Sequence, residues 1–109
     1  MMKMNDLSKI AYSATIYAKD LKAGMRIIDD CPDDNSDVLN NLFEIADVNV
    51  SDKVVTFRAV FFNENNEPEF DYTYDIYREP EEPTIVVFFS SIEEGVKFGI
   101  DEKEIQIVK

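Results

Sequence analysis

Residues 54–77 have the sequence VVTFRAVFFNENNEPEFDYTYDIY, which predicts two β-strands joined by a polar loop. β-branched and aromatic side chains recur at every second position in both halves, as in strands with one buried face. The Asn, Glu and Pro residues at 63–69 favour a turn and end both strands. The predicted core face of the second strand consists of Phe70, Tyr72, Tyr74 and Ile76. We expect this hairpin to organise the fold, with the other strands covering its aromatic face.

The chain has the size and composition of one globular domain, which we place at residues 1–109 with a flexible segment at 1–9. It lacks an apolar run of the roughly 18–20 residues that a membrane-spanning helix needs. Its first residues do not contain the apolar stretch of a secretory signal, and the single cysteine, Cys31, cannot form an intramolecular disulfide. We therefore expect a cytoplasmic protein.

Acidic residues outnumber basic ones by 23 to 11, so the net charge is −12. A surface of this sign repels nucleic acids and anionic membranes and attracts basic proteins or cations. We therefore expect a protein partner with a basic surface, no direct nucleic-acid binding and no membrane contact. The chain has no histidine, and the acidic neighbours of Cys31 oppose thiolate formation. These features predict a protein that is not an enzyme and that needs no cofactor.

The remaining chain predicts further strands and one short helix. The additional strands are predicted at 13–18, 25–28, 42–50, 84–89 and 104–108. A helix is predicted near 91–98, where Ser91 and Glu94 have the spacing of a capping box. The run TIVVFF at 84–89 is apolar on both faces, which is typical of a central strand or of an oligomer contact. The predicted core residues are Ile16, Leu21, Ile27, Leu42, Val48, Phe57, Phe61, Phe70, Tyr72, Tyr74, Val87 and Phe89.

Residues 20–27 follow the pattern D-L-x-x-G-x-x-apolar. We expect Asp20 to cap a single turn, Leu21 to enter the core and Gly24 to let the chain leave the turn. This segment resembles the turn near the start of many small β-barrels of the SH3-like kind. The resemblance implies a fold and carries no active site. With the strand pattern, it predicts a mainly β domain: a five- to six-stranded bent antiparallel sheet or an SH3-like barrel, with one short helix near the C-terminus.

An aspartate-rich segment before the third strand allows a hypothesis of calcium or small-ligand binding. Asp33, Asn35 and Asp37 have the spacing of the first three ligands of an EF-hand loop, and Glu44 falls at its twelfth position. Val38 stands where the sharp turn of that loop needs glycine, and the flanking segments predict strands instead of helices. A turn whose Asp and Asn side chains bind their own backbone explains the same residues. Metal binding is therefore an alternative, and no metal is predicted.

Two acidic stretches suggest another alternative function. Residues 27–52 contain eight acidic and no basic residues, and residues 63–82 contain eight acidic residues and one arginine. Carboxylates with suitable spacing can occupy a cleft that binds phosphate groups. The alternative is therefore a nucleic-acid mimic that antagonises a DNA- or RNA-binding protein.

Our main functional prediction is a small acidic binding module or inhibitor that docks on a protein through an acidic and aromatic surface. A bacterial or phage accessory protein would have this size and composition, and a homodimer is a further expectation from the edge strands and the TIVVFF run. Tyr77 is the hairpin aromatic expected to be exposed, because it lies on the acidic face. The predicted protein-binding residues are Asp29, Asp30, Asp33, Asp34, Asp37, Glu64, Glu67, Asp71, Asp75, Tyr77, Glu79, Glu81 and Glu82.

Overall fold

The structure is a computed structural model that describes residues 10–28, 42–63 and 65–108. Within these residues, seven strands form one antiparallel sheet. The strands are β1 (Tyr12–Tyr17), β2 (Arg26–Ile28), β3 (Leu42–Val50), β4 (Val54–Phe62), β5 (Pro68–Tyr77), β6 (Thr84–Phe89) and β7 (Gln106–Ile107). A short helix, α1 (Ile92–Lys97), follows β6, and two 3-10 turns lie at Ala18–Asp20 and Glu102–Glu104. The predicted mainly β domain with one short helix near the C-terminus is confirmed.

The sheet is open, with the strand order β5-β4-β3-β2-β6-β1-β7. The predicted alternative of a closed SH3-like barrel is therefore wrong, and the sheet has more strands than the five or six that we expected. Closure would require the two edge strands to pair along their lengths. Since β7 has two residues and β5 has ten, most of β5 would lack a partner even if the edges met. One side of β5 thus has no neighbouring strand among the described residues.

The predicted hairpin is formed by β4 and β5, which pair in antiparallel register along nearly their whole lengths. The carboxamide oxygen of Asn63 accepts hydrogen bonds from the backbone N–H groups of Asn65 and Glu67, at 2.9 and 3.0 Å. Asn66 has a φ of 62°, a conformation that asparagine tolerates better than most residues. The polar residues of this loop therefore bind each other and the backbone, which closes the turn and ends both strands.

The buried side chains alternate along the central strands, so the core lies on one face of the sheet. Its largest fully buried members are Phe57, Phe89, Met25, Ile45, Val55 and Val87. The predicted core residues that are buried or partly buried are Ile16, Leu21, Ile27, Leu42, Val48, Phe57, Phe61, Tyr74, Val87 and Phe89. The assignment of Phe70 and Tyr72 to the core is wrong, because these side chains are 44% and 52% exposed. Both belong to β5, which pairs with β4 on one side and with no other strand among the described residues.

The TIVVFF segment occupies a central position, since β6 lies between β2 and β1. This is one of the two positions that its composition indicated. Val87 and Phe89 are fully buried in the core, whereas Val86 on the other face is 44% exposed. The apolar residues of β6 therefore serve the core on one face and remain partly open on the other.

The chain turns before β2, as predicted, but the 3-10 turn lies earlier than expected, at Ala18–Asp20, so Asp20 ends it and does not cap it. The 3-10 turn starts after Tyr17, whose side chain makes no capping hydrogen bond, and Asp20 is its last residue. Leu21 is buried, as expected. Gly24 has a φ of +97°, and a Cβ atom at this position would lie 3.2 Å from the ring of Phe98. Glycine at this point therefore satisfies both the backbone conformation and the close approach of the ring.

The helix α1 begins as its sequence predicts. The hydroxyl of Ser91 accepts a hydrogen bond from the backbone N–H of Glu94 at 3.2 Å, which caps the first turn. The helix ends after six residues. Among the described residues, no helix has the length and apolar character needed to cross a membrane.

Glu94 also joins α1 to the sheet. Its carboxylate accepts hydrogen bonds from the Ser90 backbone N–H at 2.8 Å and from the Arg26 guanidinium on β2 at 3.0 Å. Burial by itself would raise the pKa of Glu94, but the hydrogen bonds from Ser90 and Arg26 outweigh it and lower the pKa below the ordinary value of 4.5. The charged carboxylate therefore stabilises the attachment of the helix.

Phe57 and Phe70 provide a matched pair of substitutions. Phe57→Ala should lower the free energy of unfolding by about 3–5 kcal/mol, because Phe57 is 2% exposed and stacks on Tyr74. Phe70→Ala should lower it by less than about 1.5 kcal/mol, because nearly half of that side chain is already in water. Urea unfolding of both variants measures the difference. Equal losses would contradict the placement of Phe70 outside the core.

Glu94→Gln should destabilise the protein at neutral pH, with a deficit that shrinks in acid. Since the pKa of Glu94 is lower in the folded protein than its ordinary value of 4.5, the charged form stabilises the fold above that pH. This contribution is lost as the pH falls through the folded pKa. Urea midpoints of wild type and variant at about pH 7 and about pH 3 test this dependence. The exposed neighbour supplies a control, Glu93→Gln, and an equal effect of both variants would count against the Glu94 contacts.

Candidate functional site

One face of β5 carries an aromatic patch, which we define as Phe70 and Tyr72. Phe70 stacks on Phe61 with ring centroids 4.8 Å apart. The ring centroids of Tyr72 and Phe43 are 5.9 Å apart. The two exposed rings are 5.5 Å from each other. Because Phe43 is buried and Phe61 is partly buried, the patch is supported by packed side chains. Rings that are ordered before binding lose little conformational entropy on docking, which favours this patch as a contact surface.

The other face of β5 carries an acidic row, which we define as Glu69, Asp71 and Asp75. All three side chains are exposed. Asp75 accepts a hydrogen bond from the hydroxyl of Thr56 at 2.9 Å, so its carboxylate is oriented by the adjacent strand. Tyr77 continues this face and is 69% exposed, as predicted. Because side chains alternate along a strand, the acidic row and the aromatic patch lie on opposite faces of one backbone segment.

Arg58 on β4 lies beside the acidic row. Its guanidinium donates hydrogen bonds to Asp71 at 3.0 Å and to Asp47 on β3 at 3.1 Å. The hydrogen bond to Asp71, followed by that to Asp47, raises the pKa of Arg58 above its ordinary value. One cation is shared by two carboxylates, so this group keeps a net negative charge. Glu69 makes no ion pair within the described part of the chain, and the row as a whole therefore stays negative.

A second arginine lies just beyond the end of β5. Arg78 donates to the two carboxylate oxygens of Glu82, at 3.0 and 3.1 Å, and to the backbone oxygen of Ser51 at 2.6 Å. The hydrogen bonds from Arg78 lower the pKa of Glu82. Glu82 is therefore already engaged within the chain, whereas the nearby carboxylates of Glu79 and Glu81 are exposed.

The structure brings seven of the thirteen predicted binding residues to one strand and its two ends. The residues on or beside β5 are Glu67, Asp71, Asp75, Tyr77, Glu79, Glu81 and Glu82. Other predicted residues lie outside the described part of the chain, namely Asp29, Asp30, Asp33, Asp34, Asp37 and Glu64, as do Asn35, Cys31 and residues 1–9. Glu44, the one calcium candidate that is described, lies within β3.

Three residues of the candidate site were not in the predicted set. Glu69 was treated as loop, and Phe70 and Tyr72 were assigned to the core. Pro68 was the signal that could have identified these residues. Proline cannot donate a hydrogen bond to a neighbouring strand, so it is favoured at the start of a strand or on an edge strand. An edge strand exposes part of its core face, so this proline points toward an accessible aromatic pair.

A concave region of about 590 Å³ lies between β1 and the C-terminal turns. Its charged lining residues are Asp20, Lys22, Asp101 and Glu104. Among the described residues, every buried side-chain nitrogen or oxygen has a hydrogen-bond partner, and no group of His, Cys, Asp or Glu could hold a metal ion. This region thus has no polar atom that requires a ligand, and we place the candidate site on β5.

No protein-family model, curated protein or solved structure matches this chain. The proposals for its function therefore rest on its own surface chemistry.

Arg58→Gln should lower the melting temperature most strongly at low ionic strength. The substitution leaves Asp47 and Asp71 without their shared cation, and salt screens the resulting repulsion. Melting curves in about 10 mM and about 1 M NaCl measure this dependence. The exposed residue Lys103 supplies the control, Lys103→Gln, which removes the same charge away from the acidic row. A salt-independent loss in Arg58→Gln would contradict the electrostatic role.

Proposed function

We propose that this protein is a small protein-binding module that docks through the β5 surface, which we define as the aromatic patch together with the acidic row. The observation that carries the proposal is the exposure of Phe70 and Tyr72, two large rings held on a packed base. Aromatic residues in such positions supply much of the binding energy in protein interfaces. A partner that covers the two rings removes apolar area from water, which favours the complex.

The acidic row sets the kind of partner. With a net charge of −12 and an exposed row of carboxylates, the chain attracts basic surfaces and repels acidic ones. Charges at the rim of an interface mainly raise the association rate and the selectivity, while the buried apolar contacts slow dissociation. We therefore expect a basic protein partner, and a chain that covers a functional basic surface would act as an inhibitor of that partner.

Position-specific photo-crosslinking tests this proposal. A photo-reactive phenylalanine analogue replaces Tyr72 in one variant and Tyr17 in another, since these tyrosines are 52% and 50% exposed and lie on different strands. In host cells, we expect the analogue at position 72 to form protein adducts. The analogue at position 17 should form none of the same adducts. Adding Phe70→Ser to the first variant should reduce the adduct by removing half of the patch. The same adducts from both positions would reject the β5 surface as the docking site.

Salt and competitor nucleic acid separate the two electrostatic interpretations. Adduct formation at position 72 should fall as salt is raised, because the acidic row steers a basic partner. A nucleic-acid mimic would in addition be displaced from its partner by DNA or RNA. If the adduct still forms when nucleic acid is present in excess, the protein docks on a surface other than a nucleic-acid cleft.

A further inference from the structure

We infer that the free edge of β5 binds an extended segment of the partner as an additional antiparallel strand, and that this segment alternates basic and apolar residues. The inference rests on the proposed docking function and specifies its mode. β5 pairs with β4 on one side, and no other strand of the described chain pairs with its second side. An edge of this kind offers a row of backbone N–H and C=O groups, which is the basis of strand addition.

The phase of the hydrogen bonds identifies which residues of β5 point outward. The N–H of Arg78 donates to the carbonyl of Lys53 at 2.9 Å, so these opposite residues form a hydrogen-bonded pair. Such pairs alternate with non-bonded pairs along an antiparallel ladder. In β5, residues 70, 72, 74 and 76 therefore direct their backbone groups toward β4. Residues 71, 73, 75 and 77 direct theirs to the free edge, and Glu69 lies at the register shift opposite Phe61 and Phe62.

This phase links the backbone to the chemistry of the side chains. The outward backbone groups belong to the residues that carry the acidic row, including Asp71 and Asp75. A strand added in antiparallel register places its bonded residues opposite these positions and on the same face. Basic residues there face the carboxylates. The intervening residues fall on the other face, over Phe70 and Tyr72, where apolar side chains are favoured. The edge thus selects a segment with basic and apolar residues in strict alternation.

A second copy of this chain is a poor occupant of the same edge. Two copies of β5 can pair in antiparallel fashion so that the acidic faces of both lie on one side of the combined sheet. In this arrangement, odd-numbered residues lie opposite odd-numbered residues. Centred on Thr73, it sets Asp71 against Asp75, and centred on Asp71 or Asp75, it sets that carboxylate against its own copy. Like charges in directly opposite positions destabilise a strand pair, and the net charge of −12 adds to the repulsion. The charge of the row therefore favours a basic partner.

Backbone-methylated peptides give a direct test on the wild-type protein. The probe is a capped heptapeptide of alternating lysine and valine, and the composition control has all lysines followed by all valines. In the antiparallel arrangement the lysine N–H groups face β5 and the valine N–H groups face solvent. We expect N-methylation of the lysines to weaken binding by about tenfold or more, through lost hydrogen bonds and steric hindrance, and N-methylation of the valines to change it little.

A matched pair of protein variants examines the same edge from the other side. Thr73→Pro removes one outward N–H and leaves every side chain of the aromatic patch and the acidic row in place. Proline is compatible with an edge strand when its nitrogen faces away from the ladder. Thr73→Val keeps the N–H and serves as the control. We expect Thr73→Pro to weaken heptapeptide binding by about tenfold and Thr73→Val to preserve it. Melting curves verify that both variants remain folded.

The outcomes separate this inference from the proposed function. Binding of the alternating peptide that is sensitive to lysine methylation alone supports strand addition. Equal binding of the alternating and block peptides, or equal effects of the two methylation patterns, overturns it, as does self-association of the chain through β5. If crosslinking at position 72 survives in Thr73→Pro, the β5 surface docks by its side chains and strand addition is wrong. If position 72 yields no adduct even in the otherwise unaltered chain, the proposed docking function is wrong, and so is the strand addition that rests on it.

Discussion

Phe57 and Tyr74 are the contact on which the hairpin depends. Phe57 is almost fully buried, and Tyr74 stacks on it with ring centroids 5.1 Å apart and planes 15° from parallel. This stack joins β5 to the core through β4 and sets the register in which Arg58, Asp71 and Thr73 meet on the other face. Farther along the strands, Phe61 and Phe70 repeat the stack in a more exposed position. The same kind of ring stack therefore occurs twice along the hairpin, once in the core and once near the surface.

The same hairpin separates two chemistries by the alternation of its side chains. Aromatic rings lie on the face shared with the core, and carboxylates lie on the face shared with Arg58. Because β5 has one neighbouring strand among the described residues, both of its faces and its outward backbone groups are accessible at one place. A ligand at this edge can therefore contact rings, carboxylates and hydrogen-bonding groups together, and these three contacts carry the functional proposals.

Local chemistry was sufficient to predict much of the fold. The alternation in residues 54–77 predicted the hairpin, the polar residues after 62 predicted its turn, and Ser91 with Glu94 predicted the start of α1. Each of these depends on contacts between residues close in the chain. The predicted capping role of Asp20 is wrong because the 3-10 turn begins at Ala18. Its cap position therefore falls on Tyr17, which makes no side-chain hydrogen bond there, and Asp20 is the last residue of the turn. The acidic face of β5 was also predictable, since a period of two assigns faces directly.

The strands, their faces and the acidic character of one side of the hairpin could be predicted from the sequence, because these follow from the period and chemistry of neighbouring residues. The open sheet, the edge position of β5 and the exposure of Phe70 and Tyr72 follow from how the strands pair in the folded chain. Strand order depends on pairings between distant segments, such as β2 with β6, and no local pattern encodes them. Phe70 and Phe57 have the same side chain on paired strands. Their burial differs because of the number and position of the elements that cover them.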